Sequence, residues 1–219
     1  MDIGFISDIH SNKIALEAVL DDMPDVDAIL CAGDIIGYGP WPGECVDIIQ
    51  RRANITISGN HDRVLVEGSN FRGNAMARAG IKHAREELSE SQRNWLASLP
   101  AERSALDDQI HLVHGHPDDP DRYTYPEDFS PELLQEKSIL AMGHTHVQHV
   151  EEYGEGIVLN PGSVGQPRDG DPRAAYAIID VDEMVAEPRR VGYDIDRVID
   201  AVATAGLPAR NGERLKEGR

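Results

Sequence analysis

The stretch Ala28-Ile29-Leu30-Cys31-Ala32-Gly33-Asp34 reads as a short buried strand that ends in a glycine and a carboxylate. One such ending carries little information. The chain repeats the design four more times: an apolar run, a small or turn residue, then a side chain able to ligate a metal. The other runs end at Asp8 and His10, at Asn60-His61-Asp62, at His114, and at His144 and His146. In open α/β sheets, ligands bind beyond the carboxyl ends of the strands. Five endings that carry Asp, Asn and His therefore predict one shared site for metal, centred on Asp34.

Outward from these endings, strand and helix alternate with short links. Strands are predicted over residues 2–7, 28–32 and 55–58, with helices over 13–23 and 43–52 between them. Leu16, Val19, Leu20 and Met23 share one face of the first helix, and Pro24 stops it. That order is the βαβ pattern of a parallel sheet. After Asp62 the character changes. Helices are predicted over 75–88 and 90–99, followed by a hairpin of 103–106 and 109–113 that turns at Asp107-Asp108. Residues 117–131 form a long acidic loop carrying Tyr123 and Tyr125, a length typical of lids and binding loops. Strands return at 138–142, 147–151, 156–159, 174–180 and 185–193, giving a more antiparallel second half. A last helix starts at Asp194, with Ile195, Val198, Ile199 and Val202 at helical spacing. Residues 1–208 read as one domain and 209–219 as a charged tail that frays.

At 219 residues the chain can bury a full core. No run approaches ~18 consecutive apolar residues, so no membrane span is expected. No basic region followed by an apolar core marks a secretory signal, which makes a cytoplasmic location the default. Cys31, in the buried strand, and Cys45, in the following helix, read as reduced packing residues. The formal net charge of −18 argues against a stable nucleic-acid complex and against an anionic membrane. Asp outnumbers Glu 22 to 17, and Arg outnumbers Lys 17 to 4. Such a surface suits a halophilic source, because at 1 M salt the Debye length shrinks to ~3 Å and self-repulsion is screened. A homo-oligomer is left open.

Asp8 and His10 sit two apart, a spacing that puts both side chains on one side of an extended segment. His144 and His146 repeat it, with Gly143 permitting an abrupt turn out of the strand. Mixed oxygen and nitrogen donors suit Mn, Fe, Co, Ni or Zn better than Mg or Ca. Asp34 can offer one oxygen to each of two ions, and Asn60 adds a neutral carbonyl oxygen.

Asp8-Ile9-His10, Gly33-Asp34, Gly59-Asn60-His61-Asp62, His114-Gly115-His116 and Gly143-His144-Thr145-His146 resemble, in order, the motifs of the calcineurin-like metallophosphoesterases. Pro161-Gly162-Ser163-Val164-Gly165-Gln166-Pro167-Arg168 looks like the C-terminal signature of the small YfcE-like phosphodiesterase branch. The resemblance implies an α/β fold, a four-layer sandwich of two mixed β-sheets flanked by α-helices. It also implies two divalent transition-metal ions, Mn first among the candidates. One would be held by Asp8, His10, Asp34 and His146, the other by Asp34, Asn60, His114 and His144. His61 would be the general acid, oriented by Asp62.

The activity implied is hydrolysis of a small phosphodiester by a metal-bridging hydroxide. The alternatives are a phosphomonoesterase, a protein phosphatase and a dinucleoside polyphosphate hydrolase. A non-catalytic scaffold on the same fold would have lost ligands, and none is missing here. Two divalent ions outweigh the Asp8 and Asp34 carboxylates, so the site keeps a positive excess that holds a phosphate under an acidic exterior. His116 and Arg168 are candidate substrate contacts. Tyr38, Tyr123 and Tyr125 are aromatic enough to stack on a base, but are read as loop packing. The halophilic reading predicts that the thermal midpoint rises between low and multimolar KCl, and equal midpoints would remove it.

Overall fold

Alternation along two strands sets the layers. In β1 (Asp2–Ile6), Ile3 and Phe5 enter one buried cluster while Ile6 enters another. In β2 (Ala28–Cys31), Leu30 joins the first cluster, and Ile29 and Cys31 the second. Strands apolar on both faces belong in the middle of a covered sheet. In the computed structural model, which describes residues 1–68 and 73–219, both strands do lie there. The first sheet has the order β10-β9-β1-β2-β3, with β3 at Ile55–Thr56, β9 at Ala174–Asp180 and β10 at Val185–Val191. Its β1, β2 and β3 run parallel, whereas β9 and β10 are antiparallel.

The second sheet comprises β4 (Glu102–Ala105), β5 (Ile110–Val113), β6 (Ile139–Ala141), β7 (His149–Tyr153) and β8 (Gly156–Asn160), in the order β4-β5-β6-β8-β7. Here β5, β6 and β8 are parallel, with antiparallel strands at both edges. The first half is parallel and the second half the more antiparallel, as expected, with parallel pairing in the second half confined to β5, β6 and β8. Each sheet has a three-stranded parallel core. Strand β8 passes β7 in sequence order to pair with β6 on one side and with β7 on the other.

Ile110, Leu112, Ile139, Ala141, Ile157 and Leu159 face Ile3, Phe5 and Leu30 across the space between the sheets. Helices α1 (Lys13–Asp22), α2 (Pro42–Arg52), α4 (Ala75–Glu87) and α5 (Glu90–Ser98) cover the other face of the first sheet. There Leu16, Val19, Ile49, Ile81 and Leu96 pack with Ile6 and Tyr176. The far face of the second sheet carries two short 3-10 helices, Pro126–Asp128 and Pro131–Leu134, with Leu134 against Val113, Leu140 and Val158. The result is the four-layer sandwich of two mixed sheets flanked by helices that the motifs imply. Cys31 and Cys45 are buried and unbridged. No helix among the described residues is long and apolar enough to cross a membrane.

Two elements depart from the sequence reading. Asn60–Glu67 forms a helix, α3, whose N-terminus is closed by Asp62 accepting the Gly59 N–H at 3.0 Å. The segment expected to fray instead folds as α7 (Arg210–Glu213) and a 3-10 turn, Arg214–Glu217. Asn211 is buried there and donates to the Tyr38 carbonyl at 2.7 Å. Leu215 packs with Ile14, with Leu207, and with Val198 and Val202 of α6 (Ile195–Thr204). The high charge density of the tail hides these two inward-facing residues. Leu215→Ala is expected to cost about 2–5 kcal/mol of stability, read as a lower denaturant midpoint. An unchanged midpoint would mean that the tail is merely laid on the surface.

Candidate metal centre

All five ligand-bearing loops leave the carboxyl ends of strands. Asp8, Asp34 and Asn60 follow β1, β2 and β3, while His114 and His144 follow β5 and β6. The centre therefore lies where the same ends of both parallel cores meet, the usual place for a ligand in such sheets. Asp8, His10 and His146 form one close group, and Asp8, Asp34 and His114 another. In each, one ligand atom per residue lies within 4.8 Å of the others. A third group of the same kind joins His10, Asp34 and His61.

The backbone at these residues is unusual. Asp8, His10, Asp34, His144 and His146 have φ of 53°, 47°, 52°, 69° and 61°. Left-handed conformations cost non-glycine residues on the order of 1–3 kcal/mol each and persist only where the surroundings impose them. Asp8 and His10 thus converge by turning, not by lying two apart in an extended segment as the sequence spacing predicts. The turn after β6 is likewise made at His144 and His146. Gly143 is needed for room, since a Cβ there would stand 2.1 Å from Ser7 Oγ. Gly59 has the same role beside Asp34, whose Oδ1 would lie 2.0 Å from an added Cβ.

Hydrogen bonds fix which ring atoms face inward. His10 Nδ1 donates to Ile36 O at 3.2 Å, His114 Nδ1 to Ala32 O at 2.7 Å, and His146 Nδ1 to Gln166 O at 2.6 Å. With the proton on Nδ1, the neutral rings of His10 and His146 present Nε2 lone pairs, and His114 points its Nε2 at Asp34. The Nε2 atoms of His10 and His146 stand 3.0 Å apart, and Asp8 Oδ1 lies 3.2 Å from that of His146. Asp34 Oδ2 lies 3.7 Å from His10 Nε2 and 3.5 Å from His114 Nε2. His144 is held the other way round, its Nε2 donating to Asp121 O at 3.1 Å, which leaves Nδ1 as the nitrogen available to a metal; His144 and Asn60 lie outside the three close groups.

Asp8 Oδ1, Asn60 Oδ1 and His114 Nε2 are buried without a hydrogen-bond partner. Opposed lone pairs and orphaned acceptors in a dry site repel one another unless a cation lies among them. The donor set, carboxylate oxygen plus imidazole nitrogen, matches divalent transition ions.

The protonation pattern reports the same crowding. Burial first, then the neighbouring His146 and His61, pushes His10 well below the usual histidine range. Burial also holds His61 and His144 near 4. For Asp8 and Asp34 burial favours the neutral acid, but His146 beside the one and His114 beside the other hold both carboxyls below the normal value. His114 goes the opposite way. Burial opposes its charge, yet Asp34 lifts it to about 9, so a bound cation would have to displace a proton there. Asp62 is raised to about 7 by burial and by Asp34, against the pull of backbone amides.

Beside the ligands opens a cavity of about 190 Å³ lined by Asp34, Tyr38, Asn60, His61, Asn74, Tyr123, His144, His146 and Arg168, among others. His61 therefore faces the same space as the ligands. Asp62 lies behind it and accepts from the amides of Ile35, Ile36 and Gly59, holding the Asp34 loop against the first turn of α3. It positions backbone, and bears on His61 through that turn. Arg168 reaches the rim, its Nη2 donating to Gln166 Oε1 at 2.8 Å and to Tyr38 OH at 3.3 Å, while its Nε is buried without a partner. His116 is turned to another task, its Nδ1 accepting the Asp118 N–H and its backbone pairing with Asp119.

Several positioning residues had no sequence signal of their own. Ser7 Oγ donates to Asp8 Oδ2, Ser163 Oγ to Asp8 O, and Asn160 Nδ2 to Gly143 O and Thr145 Oγ1. The Asn160-Pro161-Gly162-Ser163 turn thus braces the Asp8 and Gly143 loops from behind. Tyr38 is buried, with its ring 4.9 Å from that of His10 and 5.0 Å from that of His61.

Fold and site together define a metal-dependent phosphoester hydrolase. Residues 1–184 match the calcineurin-like phosphoesterase superfamily domain, and the chain belongs to that family. It is 34% identical to an uncharacterized protein of Methanocaldococcus jannaschii over 99% of this chain and 98% of that one. It is 28% identical to the phosphodiesterase YfcE of Escherichia coli K12, over 83% of this chain and 89% of the relative, which supports the YfcE-like branch. Among solved structures, a metallophosphoesterase from Sphaerobacter thermophilus superposes with a TM-score of 0.85 at 35% identity, covering 100% and 99% of the two chains.

Saturating this centre with divalent metal should stabilise the folded chain by about 2.7 kcal/mol at a hundredfold excess over Kd. Thermal melts with added Mn2+, reversed by EDTA, measure it. A melting temperature indifferent to both would sink the cation reading.

Proposed function

We propose that the protein is a cytoplasmic dinuclear phosphodiesterase acting on small phosphodiesters. The observation that carries this reading is the set of opposed, unprotonated ligand atoms at His10, His146, Asp8 and Asp34, opening on a cavity with His61 and Arg168 at its wall. Its similarity to YfcE favours diesters over monoesters.

In this reading Asp8, His10, Asp34 and His146 hold one ion, and Asp34, Asn60, His114 and His144 the other, with Mn the leading candidate for both. Bound there, the ions supply Lewis acidity and lower the pKa of a coordinated water. The chain's own groups do the rest. Arg168, a planar donor fixed by Gln166 and Tyr38, holds a non-bridging phosphate oxygen. Its charge replaces in part the attraction that an acidic exterior denies to the substrate. The His61 ring donates a proton to the departing ester oxygen. Burial keeps that ring neutral until substrate arrives, and the negative phosphate then raises its proton affinity. Substrate binding and proton uptake are thereby linked.

The test is a panel of bis-p-nitrophenyl phosphate and p-nitrophenyl phosphate on Mn2+-loaded protein, with metal counted per chain. We expect preference for the diester and two ions per chain. Asp34→Asn should lose at least one ion together with turnover. His61→Ala should keep both ions and lose about 100- to 10,000-fold in kcat. Preference for the monoester would reverse the substrate reading, and full turnover by Asp34→Asn would end the dinuclear one.

A further inference from the structure

Three nearly parallel rings run outward from the centre. His144, a ligand candidate, is stacked by Tyr123 with centroids 3.9 Å apart and planes 23° apart. Tyr123 is followed by Tyr125 at 6.0 Å and 12°. The series then meets water: Tyr123 is 48% exposed and Tyr125 40%, and they are the only aromatic side chains among the described large exposed apolar residues. Tyr123 also lines the catalytic cavity together with Arg168 and Asn74.

The sequence reading of these two tyrosines as loop packing does not account for this. Packing residues are covered, as Tyr38 is. These two have instead been left in solvent by a loop that is otherwise acidic, at the mouth of a site for a phosphate. Their loop is held independently of the rings. Thr124 is buried and its Oγ1 donates to Gly115 O at 3.0 Å, while the Tyr125 N–H donates to Asp128 Oδ2 at 3.2 Å. The backbone thus presents both rings without needing either phenol for its own stability.

We infer that Tyr123 and Tyr125 form a stacking shelf for a nucleobase, so that the ester taken by the adjacent centre is a nucleotide. The inference rests on the phosphoesterase reading of that centre and names its substrate class. Tyr123 shares the cavity wall with Arg168, so a base carried by a phosphate held there meets the tyrosine pair. Stacking on tyrosine is tolerant of base identity because every base has a π-face. On the same loop Asp118 accepts from Gln135, Asp119 from the Asp121 N–H and Asp121 from Arg63, each through Oδ1, and the second oxygen of each carboxylate is an acceptor for exocyclic amino groups, which a plain aryl ester lacks. The loop's negative charge repels a long polynucleotide, which restricts the shelf to a mononucleotide-sized ligand.

The test reads binding. Calorimetric titration of Mn2+-loaded protein compares the methyl esters of the methylenephosphonate analogues of AMP and of ribose 5-phosphate, which mimic diesters and differ only in the base. The adenine-bearing ligand should bind about 10-fold more tightly, within the range that one base–tyrosine stack supplies. Tyr125→Ala should bring the two affinities together, while Tyr125→Phe should keep them apart. Equal affinities in the unmodified protein, an unchanged ratio in Tyr125→Ala, or no binding of either ligand would overturn the shelf. So would phenylphosphonate binding as tightly as the adenine ligand. Loss of the phosphodiesterase reading looks different: diesters would go unhydrolysed while the base preference stood.

Discussion

Everything at the top of the sandwich answers to the mutual repulsion of lone pairs that point at one another in a dry space. Three imidazoles donate their Nδ1 protons to backbone carbonyls and turn Nε2 inward towards two carboxylates, bare at His10 and His146 and protonated at His114 until a cation displaces that proton. Such an arrangement is unstable by itself and becomes favourable only around positive charge. Five residues in left-handed backbone add a second cost at the same place. The rest of the molecule keeps that cluster from relaxing. Ser7, Ser163 and Asn160 tie the loops from beneath, Asp62 gathers three amides of neighbouring loops, and the two inter-sheet faces supply a rigid base.

Much of this was legible in the sequence, because strand ends are marked twice, once by an apolar run and again by the abrupt polar residue that follows. That double mark places Asp8, Asp34, His114 and His144 beyond the carboxyl ends of strands from the sequence alone. What escaped was information of a non-local kind. The parallel pairing of β6 with β8 depends on a strand being passed over, and no short-range pattern records that. The helical tail was hidden because, apart from two glycines, only Asn211 and Leu215 are buried among many charges. The convergence of Asp8 and His10 was foreseen for the wrong reason, since sequence spacing assumes ordinary backbone and the real turn is left-handed.

Charge is divided between two scales. A chain of net charge −18 surrounds a centre whose wall includes an arginine with an unpaired buried Nε. Over distances beyond a Debye length the exterior dominates and discourages polyanions. Within the cavity the few nearest groups decide, because low dielectric magnifies them. Tyr38 mediates between them: its carbonyl accepts from Asn211 of the tail, its ring lies against His10 and His61, and its hydroxyl meets Arg168.

The pairing of β1 with β9 has a consequence for how the chain is made. Asp2 lies opposite Asp180, so one edge of the central strand stays open during synthesis until a segment some 170 residues downstream has left the ribosome. Through that interval a nascent chain displays an apolar strand with unmet hydrogen-bonding groups, which is what chaperones recognise and what aggregates. Asp8, on the loop just beyond, also waits for Ser163 to anchor its carbonyl. The fragments present early in translation therefore lack a finished cradle, and the growing polypeptide is poorly equipped to trap stray ions before its architecture can choose among them.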